Sequence, residues 1–328
     1  MKIKIILLVF CFPLSLFAQV GGITAFSFIN VELSPRIEAM GGSGIAIIDR
    51  DVSLGQTTPS LLNNKMHNSL VFSFARKLNE FGVFSIGFKA INYGEFEYND
   101  DVGNNLGSFS ANDQVITFGL CRRLNEKITL GVNLNLLNSK YESYYAFAIS
   151  SNISVTYFNP ENTFTSTLLF KNMGRQLTAY ANSEESLPFD LQLGISRELK
   201  YLPFRYSLTC HHLNLFDIMS PYKLTTQTNI DTGELEIKEE SIAKKSFRHL
   251  IIGGELNPFR KSLYVRGGFN FQRRFDMSLS TYPALVGFSW GIGFEVLKFR
   301  LDYSRAAYHL SGTPNNFSFA TDFSTFVF

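Results

Sequence analysis

Residues 128–136 read ITLGVNLNL, a strict alternation of large apolar residues with small or polar ones. A two-residue period is typical of a β-strand, because successive side chains point to opposite faces of a sheet. The alternation recurs in residues 145–157, 189–195, 204–210 and 286–296, and three of the five segments are nine to thirteen residues long. Soluble strands average about five or six residues, whereas strands that cross a bilayer obliquely need about nine to eleven. The pattern therefore predicts membrane-spanning strands.

The two faces of these segments separate a membrane barrel from a soluble sandwich. One face is large and apolar, and the other carries Gly, Ser, Asn, Thr and charges, which suits a wet or plugged lumen. Residues 277–294 carry no charge, so a transmembrane helix is an alternative there. That window contains Pro283 and three glycines, and its second half alternates, which favours a strand. We expect an all-β protein, a transmembrane antiparallel β-barrel.

Alternation and turn residues together define thirteen candidate strands. They are residues 69–76, 81–92, 113–122, 127–137, 145–157, 163–171, 188–197, 203–213, 247–256, 262–272, 284–296, 298–304 and 316–328. Bacterial barrels have an even number of strands, so we expect about 14, with residues 44–48 or 175–181 as candidates for the missing one. Short turns alternate with longer loops, which is typical of periplasmic turns and outer loops. Residues 214–246 are then the largest outer loop.

The N-terminal residues differ from this barrel segment, residues 69–328. Lys2 and Lys4 precede an apolar run over residues 5–16, followed by Ala18, so we predict a signal peptide at residues 1–18. Residues 19–68 lack strand alternation. Ser34-Pro35 and Thr58-Pro59 each place an N-cap residue before a proline at the first helical position, so we predict a helical turn at each. We expect residues 19–68 to fold into the lumen as a plug, or hatch.

Charge and cysteine content exclude several classes of protein. The chain has 30 Lys and Arg against 28 Asp and Glu, and loss of the two leader lysines makes these numbers equal. A neutral chain lacks the basic surface of a nucleic-acid-binding protein. Cys121 and Cys210 remain after cleavage, too few for a four-thiolate metal site, and a disulfide between them is left open.

Catalytic and metal-binding motifs do not emerge from the sequence. Residues 41–45, GGSGI, lack the last glycine of a nucleophile elbow. His211 and His212 are neighbours on a predicted strand, so we expect them to point to opposite faces and not to share a metal. The remaining histidines are isolated in sequence: His67, His249 and His309. We expect no enzyme, with no catalytic, cofactor-binding or metal-binding residues.

The large outer loop is the candidate partner-binding segment because it is long and rich in charge. Its candidate side chains are Glu234, Glu236, Glu239, Glu240, Lys244 and Lys245. A merely solvated loop is the alternative interpretation.

Several short motifs, in order and spacing, resemble one family over essentially the whole mature chain. They are GG at 21–22, SPR at 34–36, AMGG at 39–42, KNMG at 171–174, LPF at 187–189, RHLIIGGEL at 248–256 and KFRLDYS at 298–304. The chain resembles the PorQ-like outer-membrane β-barrels of the type IX secretion system of Bacteroidetes, which are related to PorV and more distantly to the FadL transporters.

This resemblance implies a location and partners that periodicity does not give. It implies the outer membrane of a Gram-negative bacterium and a role in a cell-surface attachment complex with PorZ, the sortase PorU and PorV. The barrel would anchor or recruit PorZ while PorU cleaves cargo and joins it to lipopolysaccharide. The more distant likeness to FadL leaves transport of a hydrophobic small molecule as the alternative function.

Overall fold

A computed structural model describes most of the chain. It covers residues 26–32, 34–49, 51, 53–63, 73–78, 82–100, 102–180, 184–219, 226–228, 235–237, 240–259, 262–278, 285–296, 299–308 and 313–321. The predicted signal peptide and the last seven residues lie outside these ranges.

Within the described ranges, thirteen strands form one antiparallel sheet in which each strand pairs with the next strand of the sheet along the chain. They are β1 (Ser73–Leu78), β2 (Gly82–Asn99), β3 (Asn105–Arg123), β4 (Ile128–Tyr141), β5 (Tyr144–Asn159), β6 (Phe164–Thr178), β7 (Asp190–Glu198), β8 (Phe204–Cys210), β11 (Leu250–Leu256), β12 (Leu263–Asn270), β13 (Phe288–Val296), β14 (Phe299–Ala306) and β15 (Asn315–Thr321). Between β8 and β11, β9 (Thr226–Thr228) and β10 (Leu235–Ile237) form a separate hairpin.

The predicted all-β antiparallel fold is confirmed, and each of the thirteen predicted strands overlaps one strand of this sheet. Both candidates for a fourteenth strand are wrong. Residues 44–48 form turns, and residues 175–178 continue β6. At Asn172 the backbone is left-handed (φ 58°) and the register between β6 and β5 shifts. Pairing with β5 resumes after this irregularity, so residues 175–178 belong to β6 and do not form a new strand.

The strand faces are reversed relative to a soluble protein. On β4, Asn133 and Asn135 are buried, whereas Val132 is 42% and Leu134 is 46% exposed. The same outward apolar face runs round the sheet, through Ile86, Phe88, Ile116, Leu120, Val155, Leu168, Leu193, Ile252, Val265, Trp290, Phe294 and Leu301. Removing one such side chain from water is favourable by about 1.5–3 kcal/mol relative to leaving it exposed. An outward surface of this kind is therefore suited to the apolar interior of a membrane.

No helix in the described ranges is both long enough and apolar enough to cross a membrane.

The sheet curves around residues 26–63. These residues carry α1 (Pro35–Ala39), α2 (Ser53–Thr57) and two 3-10 turns, Ser27–Asn30 and Pro59–Leu61, so the helical turns predicted at Ser34-Pro35 and Thr58-Pro59 are confirmed. The second 3-10 turn packs on β4 and β5, whereas α1 packs on β12, β13 and β14. One short segment thus touches distant parts of the sheet, which places it inside the curve.

Two pairs of strands extend further than predicted. β4 ends and β5 begins with only Glu142 and Ser143 between them, and β2 and β3 pair out to Asn99 and Asn105. The predicted loops at these places are therefore wrong. Cross-strand aromatic contacts favour continued pairing, and the rings of Phe96 and Phe109 stack at 5.3 Å.

Cys121 and Cys210 are both free. The Cys121 thiol donates a hydrogen bond to the Leu62 carbonyl oxygen at 3.1 Å, which joins β3 to the end of the plug. The disulfide left open by the sequence is not formed.

Candidate functional site

The charges predicted to bind a partner lie in the connection between β8 and β11. Glu234 and Glu239 fall outside the described residues. Glu236 lies on β10, opposite Gln227 of β9. The other three lie just before or on α3 (Ile242–Arg248): Glu240, Lys244 and Lys245.

Glu240 is the centre of an ion-pair cluster that fastens the end of this connection to the sheet. Its carboxylate accepts hydrogen bonds from Lys244 Nζ at 2.5 Å and Arg248 Nη2 at 3.0 Å. Arg248 Nε donates to Asp276 Oδ1 at 2.9 Å, and Asp276 lies on α4 (Phe271–Met277), between β12 and β13. We call Glu240, Lys244, Arg248 and Asp276 the α3–α4 clamp. These charges contact each other, so their first role is to hold the loop.

The clamp shifts the ionisation of its carboxylate. Hydrogen bonds from Arg248, helped by Lys244 and opposed by burial, lower the pKa of Glu240 to about 2. Lys245 Nζ lies 2.6 Å from Asp217 Oδ2 and lowers the pKa of that carboxyl. Both acids therefore stay charged at neutral pH, and both ends of this connection stay anchored.

Aromatic side chains reinforce the clamp. The rings of Phe247 on α3 and Phe271 on α4 lie 5.4 Å apart. Lys244 Nζ lies 5.3 Å from the ring centroid of Phe275, and the Arg248 guanidinium lies 5.6 Å from the same centroid. Cation–π contacts of this kind contribute about 0.5–1 kcal/mol at exposed sites. The two short helices thus form a small packed cap.

A second ion-pair cluster lies inside the sheet and joins it to α1. Arg36 Nη2 donates to Glu255 Oε1 at 2.8 Å, and Arg36 also pairs with Asp49. Glu255 accepts two further hydrogen bonds, from Arg205 at 3.1 Å and from Arg266 at 2.7 Å. The cluster continues along the inner wall: Arg266 with Asp302 at 2.5 Å, and Arg300 with Asp302 at 2.7 Å. We call this set the lumen ion network.

At the other end of α1, Glu38 joins the plug to α4. Arg273 Nη1 donates to Glu38 Oε1 at 2.8 Å, and the Tyr308 hydroxyl donates to Glu38 Oε2 at 3.1 Å. The Arg273 guanidinium stacks 3.9 Å from the Tyr308 ring centroid. Since α4 also carries Asp276 of the clamp, a single short helix contacts both the plug and α3.

The plug and wall backbones approach each other closely at two wall glycines. A Cβ atom added to Gly131 would lie 2.1 Å from Ser60 N, and one added to Gly268 would lie 2.1 Å from Gly41 N. Hydrogen bonds accompany these contacts, such as Ser60 N to Ser154 Oγ at 2.8 Å. Any side chain beyond hydrogen at these two wall positions would push the plug away.

Sequence reasoning did not find the lumen ion network. A signal was present, because Arg205, Glu255, Arg266 and Asp302 all stand on the small and polar face of their strands. Charges at lumen positions need partners in a low-dielectric interior. Pairing them with a plug residue, however, required knowledge of the three-dimensional fold.

The residues weighed for catalysis contact the scaffold. Ser43 Oγ donates to Thr209 Oγ1 at 3.1 Å, a contact between plug and wall. His249 Nδ1 lies 2.8 Å from the His211 carbonyl oxygen. His67 and His309 lie outside the described residues.

The expectation that His211 and His212 face opposite ways is wrong. β8 ends at Cys210, and His212 has a left-handed backbone (φ 53°), so the alternation of a strand no longer applies. The two Nδ1 atoms lie 2.6 Å apart. Asp190, the first residue of β7, lies beside them, with Oδ2 3.7 Å from His212 Nδ1.

Comparison with known proteins assigns no family. No family model and no curated protein matches the sequence. Among solved structures, the toluene transporter TodX of Pseudomonas putida is similar at a TM-score of 0.41 and 11% identity, over 71% of this chain and 75% of that one. A likeness this weak assigns neither a family nor a ligand to this chain.

Proposed function

We propose that this chain is an outer-membrane β-barrel that serves as a scaffold in the cell-surface attachment complex of the type IX secretion system. In this role it anchors or recruits PorZ, alongside PorU and PorV. The proposal joins the motif resemblance to three features of the molecule: its outer face, its ion-paired plug and its clamped connection between β8 and β11.

The outer face supports the membrane part of the proposal. Its strands expose apolar residues on one side and bury polar ones on the other, as β4 does with Leu134 and Asn133. Barrels solve the backbone hydrogen-bonding problem in lipid because neighbouring strands satisfy each other. An outer-membrane location follows from this proposal.

The ion-paired plug is the single observation that carries the scaffold role. α1 is held at both ends, by the Glu38–Arg273 pair to α4 and by the Arg36–Glu255 pair to the sheet. Breaking a buried ion pair costs about 3–5 kcal/mol per lost partner. A plug held by several such pairs is costly to displace. It therefore suits a static support better than a transporter whose plug must move each time a ligand passes.

The outer connection supports a docking role. Lys245–Asp217 anchors its beginning and the α3–α4 clamp anchors its end. Glu234, Glu236 and Glu239 lie between these anchors in sequence. We propose that this acidic stretch contacts the partner and that the clamp presents it. The contact is structural, and we assign no catalytic residue to the chain.

Capture of PorZ from mildly solubilised outer membranes tests the docking role. One variant replaces residues 221–239 with a Gly-Ser linker and leaves both anchors intact. A second converts Glu234, Glu236 and Glu239 to Lys and keeps the length. A control shortens the β2–β3 hairpin at Asp100–Asn104, which projects from the same end of the antiparallel sheet.

The proposal predicts that both loop variants lose PorZ while the hairpin control retains it. Every variant should still migrate differently on gels before and after boiling, which shows that its barrel is folded. Full retention of PorZ by both loop variants would contradict this docking surface. A barrel that carries a bound fatty acid or other lipid in place of PorZ would favour the transporter alternative.

A further inference from the structure

Asp190, His211 and His212 converge where β7 begins and β8 has just ended. One potential ligand atom from each lies within 4.8 Å of the other two. We infer that these three side chains form a binding site for a divalent transition metal, with Zn²⁺ as the ion that suits them best. The site is independent of the partner proposed above.

The backbone brings the two imidazoles to one side. A left-handed conformation at His212 turns its ring back toward His211, and the rings meet edge to face with centroids 4.9 Å apart. Two neutral imidazole nitrogens that face each other at 2.6 Å need a proton or a cation between them. Without a metal, one neutral ring can satisfy this contact by donating its Nδ1–H to the other ring. A metal bound to both Nδ1 atoms requires that ring to carry its proton on Nε2 instead, and requires the two rings to move apart to reach tetrahedral geometry.

The carboxylate is held in place by groups around it. Asp190 Oδ1 accepts from the His212 backbone N–H at 2.6 Å, and Oδ2 accepts from Gln192 Nε2 at 2.5 Å. Each carboxylate oxygen has lone pairs to spare, so Oδ2 can bind a metal while keeping its bond to Gln192. Such outer contacts orient metal ligands in known sites.

Burial shields two of the three ligands from water. His211 is 3% and Asp190 is 4% exposed, whereas His212 is partly exposed and leaves a route from solvent.

The ligand set selects the class of ion. Two imidazoles and one carboxylate match the three-ligand sites of Zn²⁺, which leave a fourth position for water or another ligand. Mg²⁺ and Ca²⁺ prefer oxygen ligands alone. Lys171 stands opposite Asp190 on β6, and the His249 ring lies 6.3 Å from the His211 ring.

Calorimetric titration of Zn²⁺ into the tag-free, chelator-treated full chain in detergent tests the site. His212→Asn is the first variant, because Asn tolerates left-handed backbone and removes only the imidazole. Asp190→Asn is the second, because it keeps the shape of the carboxylate. His249→Gln is the control, since His249 is a neighbouring histidine outside the ligand set.

We expect one Zn²⁺ per chain for the native protein and for His249→Gln. Loss of an outer contact alone weakens metal binding about 10–100-fold, so loss of a ligand should weaken it at least about 100-fold in both site variants. The gel shift on boiling reports that each barrel is folded. Absence of Zn²⁺ binding to the native chain, or equal binding by folded site variants, would overturn the assignment.

Discussion

Arg36 Nη2 lies 2.8 Å from Glu255 Oε1 and joins the N-terminal plug to a strand 219 residues further along the chain. Glu255 also accepts hydrogen bonds from Arg205 and Arg266, so one buried carboxylate compensates three guanidinium groups. The stability of the plugged interior therefore depends strongly on this single side chain.

Replacing Glu255 with Gln should destabilise the folded protein. The change leaves the buried guanidinium groups without their common partner. Removing one partner of a buried ion pair lowers the free energy of unfolding by about 3–5 kcal/mol. Glu198→Gln is the matched control, because Glu198 also pairs with Arg205, at 3.1 Å, but is exposed, and such pairs contribute about 0–1 kcal/mol. Thermal unfolding followed by circular dichroism should show a clear drop for the Glu255 variant alone. Equal melting of the two variants would contradict the network's importance.

Neighbouring glycines on β12 provide a sharp test of the contact between plug and wall. Gly268→Ala would place its Cβ 2.1 Å from Gly41 N, whereas Gly267→Ala meets nothing closer than 4.0 Å. Overpacking of this kind typically costs about 1–3 kcal/mol. We expect limited proteolysis to cut residues 26–63 faster in the Gly268 variant than in the Gly267 variant. The plug would lie elsewhere if both variants resisted protease equally.

The clamp should respond to pH in a defined direction. Glu240 has its pKa lowered to about 2 by Arg248 and Lys244, so its contribution to stability is complete above the unfolded value of about 4.3 and is lost as pH falls toward 2. Hydrogen exchange of residues 242–248, corrected for the intrinsic rate at each pH, should stay slow at neutral pH and rise only in strong acid. Glu240→Gln should exchange fast already at pH 7. Fast exchange of the native clamp at pH 6 would be incompatible with this ion pairing.

Local sequence predicted the strands well because each strand carries its own alternation. Residues 128–136 were sufficient to place β4, which runs to Tyr141. The extension of β2 and β3 was missed because residues 93–112 mix Gly, Asn and Asp with aromatics, and their pairing depends on ring contacts such as Phe96 with Phe109 across the hairpin. The alternation along one strand carries no information about contacts with its partner strand.

Long-range pairing explains the other misses. The helical turn at Ser34-Pro35 could be predicted from its own residues, but the bond from Arg36 to Glu255 could not. His211 and His212 were misassigned because strand alternation was extended two residues beyond Cys210, where a left-handed residue turns the chain. The predicted docking charges Glu240, Lys244 and Lys245 lie in the connection between β8 and β11. Their ion-pair partners are Arg248 of α3, Asp217 and one another, which the sequence did not indicate.

Capture of the native chain from mildly solubilised outer membranes, with bound proteins identified by mass spectrometry, tests the central claim most directly. The scaffold account predicts recovery of PorZ in near-stoichiometric amount, with the barrel folded and shifting on gels when boiled. A folded barrel recovered without PorZ and carrying a bound fatty acid or lipid would contradict the account.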